Sequence, residues 1–122
     1  MEIYHGLDEV PDFDAGTVIT LGNFDGVHRG HQTVLRAVAA EAAEHSLTSV
    51  AMTFDPHPRT IHSPDTPTLM ITSPEQKSAL IAETGIDVLF VQPYDLEFAA
   101  QTPEEFVARY FVEGLKCRCV VV

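Results

Sequence analysis

The feature that most constrains this chain is the regular alternation of two apolar patterns along it. Four runs rich in apolar and β-branched residues predict strands at 17–21, 49–54, 87–91 and 117–122. Three amphipathic segments with a helical repeat lie between those runs. Strands that alternate with helices pair in parallel through right-handed crossovers, and the helices then cover both faces of the sheet. The sequence therefore predicts a doubly wound α/β fold.

End signals locate the three predicted helices. The first begins near His31, directly after a glycine-rich stretch. The other two begin at Ser73 and Thr102, each a hydroxyl N-cap residue followed by proline at the first helical position. They end at Gly85 and Gly114, since glycine is the usual residue just past a helix. The proline-rich stretch 55–68 is predicted to be an irregular, functional loop.

Composition indicates one cytoplasmic domain spanning residues 1–122. Hydrophobic residues make up 45% and charged residues 20% of the chain, as in ordinary globular proteins. No apolar run reaches the roughly 18 residues of a membrane span, so we expect no membrane association. The net charge is −11 without a basic stripe, which argues against nucleic-acid binding. An anionic ligand must therefore be held by a local arrangement of groups.

Such an arrangement is predicted where the first strand leads into the first helix. Residues 22–31 read GNFDGVHRGH, and their three glycines allow tight turns and close approach to a ligand. The helix that follows offers free N–H groups, a natural anion site. His28 and His31 are three residues apart, so both rings can face the same anion. The spacing is neither the dinucleotide-binding fingerprint nor a Walker P-loop.

The motif His28-x-Gly30-His31 is the signature of the nucleotidyltransferase superfamily. The longer string GNFDGVHRGH resembles the FMN adenylyltransferase (FAD synthetase) domain of the bacterial bifunctional riboflavin kinase/FMN adenylyltransferases. The likeness continues in residues 53–58, TFDPHP, which match a flavin-side element of that family. Together these motifs span nearly the whole chain, and they imply a Rossmann-like nucleotidyltransferase fold.

The resemblance implies that ATP and FMN react to give FAD and pyrophosphate, with Mg²⁺ accompanying ATP. The implied ATP-binding residues are Gly22, Asn23, Phe24, Asp25, Gly26, His28, Gly30 and His31. The implied flavin-binding residues are Phe54, Pro56, His57, Pro58 and Arg59. The implied catalytic residues are His28, His31 and His57. Asp25 would assist Mg²⁺ or cap the helix, and the other metal ligands stay unassigned. Lys77 is predicted to be solvated on an exposed helix face.

Two alternatives remain open at this point. One is another nucleotidyltransferase of the superfamily, such as a cytidylyl- or pantetheine-phosphate adenylyltransferase. The other is a fragment that binds nucleotide or flavin without turnover. The family's domain continues beyond the strand at 117–122, and a riboflavin kinase domain follows it. We therefore expect this chain to be truncated at its C-terminus, to turn over poorly and to be prone to self-association.

Overall fold

The structure, a computed structural model, describes residues 1–65 and 71–122. These residues form five strands in one sheet, ordered β1-β4-β3-β2-β5, in which every neighbouring pair is parallel. The strands are β1 (Glu2–His5), β2 (Thr17–Leu21), β3 (Thr48–Asp55), β4 (Val88–Pro93) and β5 (Cys117–Val120). The predicted doubly wound α/β fold is confirmed, and the four predicted strands agree with β2 to β5 within two residues at each end.

The helices also follow the predicted order, with additions. They are α1 (Arg29–Glu44), α2 (Pro58–His62), α3 (Pro74–Ala82), α4 (Leu96–Ala99) and α5 (Pro103–Phe106). Helix α5 continues into a π-helix at Val107–Gly114, and a 3₁₀ turn lies at Leu7–Glu9. Helix α2 lies in the stretch 55–68 that was predicted to be irregular, and residues 66–68 of that stretch are outside the described part. Among the described residues, no helix is long and apolar enough to cross a membrane.

Strand β1 escaped prediction because little in its own sequence marks it. Three of its four residues are exposed, and the apolar run is too short to stand out. Its position comes from pairing along β4, where Ile3 lies opposite Leu89 and Tyr4 opposite Phe90. The edge strand is therefore specified by a tertiary contact rather than by a local pattern.

The sheet is covered on both faces, as its apolar strands require. On one face, Leu35, Val38 and Ala42 of α1 are buried together with Ile81 of α3. On the other face the π-helix buries Tyr110 and Phe111. Buried residues of the first layer are Val18, Phe24, Val27, Leu35, Val38, Ala42, Ala51, Ile81, Ile86 and Leu89. Those of the second are Phe13, Ile19, Val50, Met52, Val88, Phe90, Tyr110, Phe111 and Leu115.

The carboxyl end of β2 is the switch point of this sheet. The chain leaves β2 through α1 to reach β3 on one side, whereas β5 lies on its other side. Loops that leave neighbouring strands in opposite directions open a crevice, and ligands of open α/β sheets bind there. Residues 22–28, between β2 and α1, occupy this point.

Candidate functional site

The loop between β2 and α1 has an unusual backbone that buried side chains hold in place. Phe24 and Val27 have φ angles of 53° and 43°, and Gly26 lies between them at 78°. Positive φ is uncommon outside glycine and costly for a β-branched residue such as valine. The side chains of Phe24 and Val27 are only 4% and 1% exposed, and both belong to the core layer beneath α1. This burial holds the strained backbone of the loop in place.

His28 is the N-cap of α1 through its imidazole ring. Its Nδ1 accepts hydrogen bonds from the backbone N–H of Gly30 at 3.1 Å and of His31 at 3.5 Å. Two of the N–H groups that the sequence offered to an anion are therefore already occupied. Because Nδ1 accepts, the proton of the neutral ring is on Nε2, which is left as a donor for a ligand.

Gly30 is required by the position of that ring. A Cβ atom at residue 30 would lie 3.1 Å from Cε1 and 3.3 Å from Nδ1 of His28, closer than most real contacts of a Cβ atom. The sequence suggested that this glycine leaves room for a phosphate chain. In the structure, the lack of a side chain at Gly30 leaves room for the His28 ring at the start of α1.

The two loop histidines lie against each other. The rings of His28 and His31 are stacked with centroids 3.6 Å apart, and the His31 ring also meets the edge of Phe24 at 5.4 Å. Nδ1 of His31 is buried and has no hydrogen-bond partner among residues 1–65 and 71–122. Burial lowers the pKa of His31, the nearby His28 lowers it further, and Asp25 opposes both. At neutral pH, His31 is therefore mainly uncharged before a ligand binds.

Asp25 joins the loop to the segment before α3 and does not cap α1. Its carboxylate accepts hydrogen bonds from the backbone N–H of Ile71 at 3.0 Å and of Thr72 at 3.2 Å, and from the Thr72 hydroxyl at 3.4 Å. The Thr72 hydroxyl also accepts one from the N–H of Gly26. The Ile71 hydrogen bond is the main cause that lowers the pKa of Asp25. The expectation of a capping Asp25 is therefore wrong, because His28 fills that position.

A cleft of about 830 Å³ adjoins this junction, between the end of β3 and the first turns of α3. Phe54, Pro56 and His57 line the cleft, whereas Pro58 and Arg59 do not. His57 is the N-cap of α2, and its Nδ1 accepts a hydrogen bond from the N–H of Arg59 at 3.0 Å. His57 therefore resembles His28, with Nδ1 used by the helix and Nε2 left free of that bond.

The prediction that Lys77 is solvated on an exposed helix face is wrong. Lys77 is partly buried and lines the cleft, and its Nζ donates to the carbonyl oxygen of Asn23 at 3.1 Å and to Oγ1 of Thr53 at 3.3 Å. Burial lowers the pKa of Lys77, while Asp25 and Asp55 raise it. A signal was present, since Lys77 is four residues before the buried Ile81 and so lies on the inner face of α3.

The arrangement defines an α/β domain whose candidate site lies at the switch point of a parallel sheet. The family model described as FAD synthetase matches residues 10–122, and the chain belongs to that family. The bifunctional riboflavin kinase/FMN adenylyltransferase of Escherichia coli strain K12 is 33% identical over 97% of this chain. Its counterpart from Bacillus subtilis strain 168 is 36% identical over 92%. The chain spans 37% and 36% of these two proteins.

A solved structure supports the fold independently. The crystal structure titled macrolide-efflux protein from Streptococcus pneumoniae superposes with a TM-score of 0.83 at 25% identity. The match covers 99% of this chain and 40% of that one. The two chains therefore share the same fold over the matched part.

Proposed function

We propose that this chain is an FMN adenylyltransferase domain, which transfers AMP from ATP to FMN and releases FAD and pyrophosphate in the cytoplasm. The observation that carries the proposal is the shared wall between the histidine loop and the cleft. Thr72 lines the cleft and also hydrogen-bonds Asp25 and Gly26 of the loop. A nucleotide at the histidine loop and a flavin in the cleft would therefore lie next to each other, with one end of each at Thr72. Family membership supports the same reaction.

The chemistry needs positioning and neutralisation of charge more than proton removal. A phosphate oxygen of FMN, already anionic at neutral pH, attacks the α-phosphorus of ATP as the bond to pyrophosphate breaks. No deprotonating base is required. We assign His28 and His31 to the ATP phosphates, where Nε2–H of His28 donates a hydrogen bond, and Gly22 to Gly26 to the nucleotide. Donors held in place before the reaction stabilise the charge that develops in the transition state.

For the flavin we assign Phe54, Pro56 and His57, which line the cleft. Pro58 follows them in the chain, and Arg59 lies exposed on α2. Arg59 can serve an entering anion only from the rim. Flavin in the cleft would place its phosphate toward the histidine loop.

Mg²⁺ would enter with ATP and neutralise its phosphates. Within residues 1–65 and 71–122, three ligand-type side chains converge at Glu41, Glu44 and His45, at the far end of α1 from the loop. Beside the loop, Asp25 already accepts hydrogen bonds from Ile71 and Thr72. Mg²⁺ commonly keeps several waters and binds through substrate phosphates, and we propose that arrangement here.

The test is a comparison of acceptors with this chain in the presence of ATP and Mg²⁺. We expect FMN to bind more tightly than riboflavin, and FAD, formed at a low rate, to be the product that chromatography detects. Formation of a product from ATP and phosphopantetheine, or from CTP used in place of ATP with another acceptor, but not from ATP and FMN, would assign the chain to another nucleotidyltransferase. Binding of FMN and ATP without pyrophosphate release would identify a fragment that does not turn over.

A further inference from the structure

Lys77 lies where the two halves of the proposed site meet. Its Nζ is 3.1 Å from the carbonyl oxygen of Asn23 in the histidine loop and 3.3 Å from Thr53 Oγ1 at the end of β3. The same side chain lines the cleft. An ammonium group has three N–H donors, and these two contacts account for two of them. One donor therefore remains for a ligand at the junction.

The charges around the cleft make Lys77 the group that would have to attract an anion there, because the carboxylates that line the cleft repel one. Asp55 and Glu75 line the cleft, and the whole chain carries −11. Among the described lining residues, Lys77 is the sole lysine or arginine. A dianionic phosphate brought beside a triphosphate repels it, and a partly buried cation reduces that repulsion more than a solvated one. Arg59, the cation among the implied flavin-binding residues, is exposed and outside the cleft lining.

Resting on the proposed function, we propose that Lys77 binds the phosphate of the flavin substrate and positions it for attack on ATP. The two protein contacts hold the ammonium at the junction, and its third N–H reaches the phosphate. Lys77 then discriminates FMN from riboflavin, which carries no phosphate. It contributes to acceptor choice rather than to binding of the flavin ring.

The test uses Lys77→Met and Lys77→Arg, with Arg36→Met as the matched control. Arg36 is exposed on α1, so its replacement removes one positive charge away from the cleft. Quenching of flavin fluorescence gives the Kd of FMN and of riboflavin for each variant. We expect Lys77→Met to weaken FMN binding about 10- to 100-fold, as loss of a charged hydrogen bond does, and to leave riboflavin binding within about twofold. Lys77→Arg should restore much of the FMN affinity, and Arg36→Met should match the wild type.

Equal weakening of both flavins by Lys77→Met would overturn the proposal, because Lys77 would then only brace the loop. Unchanged FMN binding would overturn it too, while the proposed function would stand. If the wild type binds no FMN, the proposed function itself fails and the proposal fails with it. Should Lys77→Met not fold, Lys77→Gln carries the same comparison, since its amide can still donate to Asn23 but has no charge.

Discussion

At the residue scale, the two loop histidines differ in how their Nδ1 atoms are used. Nδ1 of His28 binds backbone N–H groups of α1, and Nδ1 of His31 is buried. Their pairing across Gly30 was predictable, because the motif is short and local. The position of Lys77 was missed although its spacing from Ile81 places it on the inner face of α3, and the extent of its burial also depends on how α3 packs against β3. Judged by residue type alone, a lysine on a helix is predicted to face solvent.

We expect His31→Ala to weaken ATP binding while the fold is kept. His31 is only partly buried, and loss of a charged hydrogen bond costs about 1.5–3 kcal/mol. Isothermal titration calorimetry on the wild type and the variant measures the difference. Equal affinities would show that His31 does not contact ATP.

The same variant tests the charge of His31. Its pKa lies below the usual value of about 6.5 in the free protein, because burial and His28 disfavour the imidazolium. A bound phosphate favours the imidazolium, so the pKa rises on binding and a proton is taken up. Affinity for ATP should therefore increase as the pH falls from 7.5 toward about 6. His31→Ala should lose this part of the pH dependence, and titration of ATP itself remains as the baseline in both proteins.

At the element scale, each helix near the site begins with a side chain that caps it. His28 caps α1, His57 caps α2, and Ser73 forms a capping box with Gln76 at the start of α3. The capping box and the proline starts were predictable from local residue types. The imidazole caps were not, because histidine is not among the usual N-cap residues. The π-helix was also missed, and it buries Tyr110 and Phe111 but leaves Val107 44% exposed.

Two substitutions at His28 separate capping from binding. His28→Ala removes both functions, and we expect a loss of about 1 kcal/mol in the free energy of unfolding together with weaker ATP binding. His28→Asn supplies a strong N-cap without an imidazole, so its stability should stay near that of the wild type while ATP binding falls. Urea unfolding and calorimetry measure the two effects. If the asparagine variant were as destabilised as the alanine variant, the cap would not explain the stability.

At the scale of the whole molecule, the site depends on strand order more than on any one motif. The histidine loop follows β2 and the TFDPHP stretch ends β3, and these strands are neighbours in the sheet. The alternation of strands and helices was enough to predict that both motifs lie at the same edge. It did not predict that α3 closes the cleft or that β1 forms an edge of the sheet, because both depend on long-range packing.

We expect the core layer beneath α1 to contribute most to the free energy of unfolding. Leu35 is fully buried between α1 and the sheet, and we expect Leu35→Ala to cost about 2–5 kcal/mol. Leu96 on α4 is 67% exposed, and Leu96→Ala should change the free energy of unfolding by less than about 0.5 kcal/mol. Chemical denaturation monitored by circular dichroism compares the two. Similar losses would mean that this layer is not the main core.

We expect Thr72 to link the binding of the two proposed substrates, ATP and FMN. Thr72 lines the cleft and hydrogen-bonds Asp25 and Gly26 of the histidine loop, so we expect occupancy of the cleft to change the affinity of the loop for nucleotide. The two affinities are then linked by a coupling free energy, and thermodynamic reciprocity makes the factor the same in both directions. FMN titrated with and without a non-hydrolysable ATP analogue, and the analogue titrated with and without FMN, should give one common ratio. Thr72→Val, which keeps the shape but loses the hydroxyl, should bring that ratio toward one.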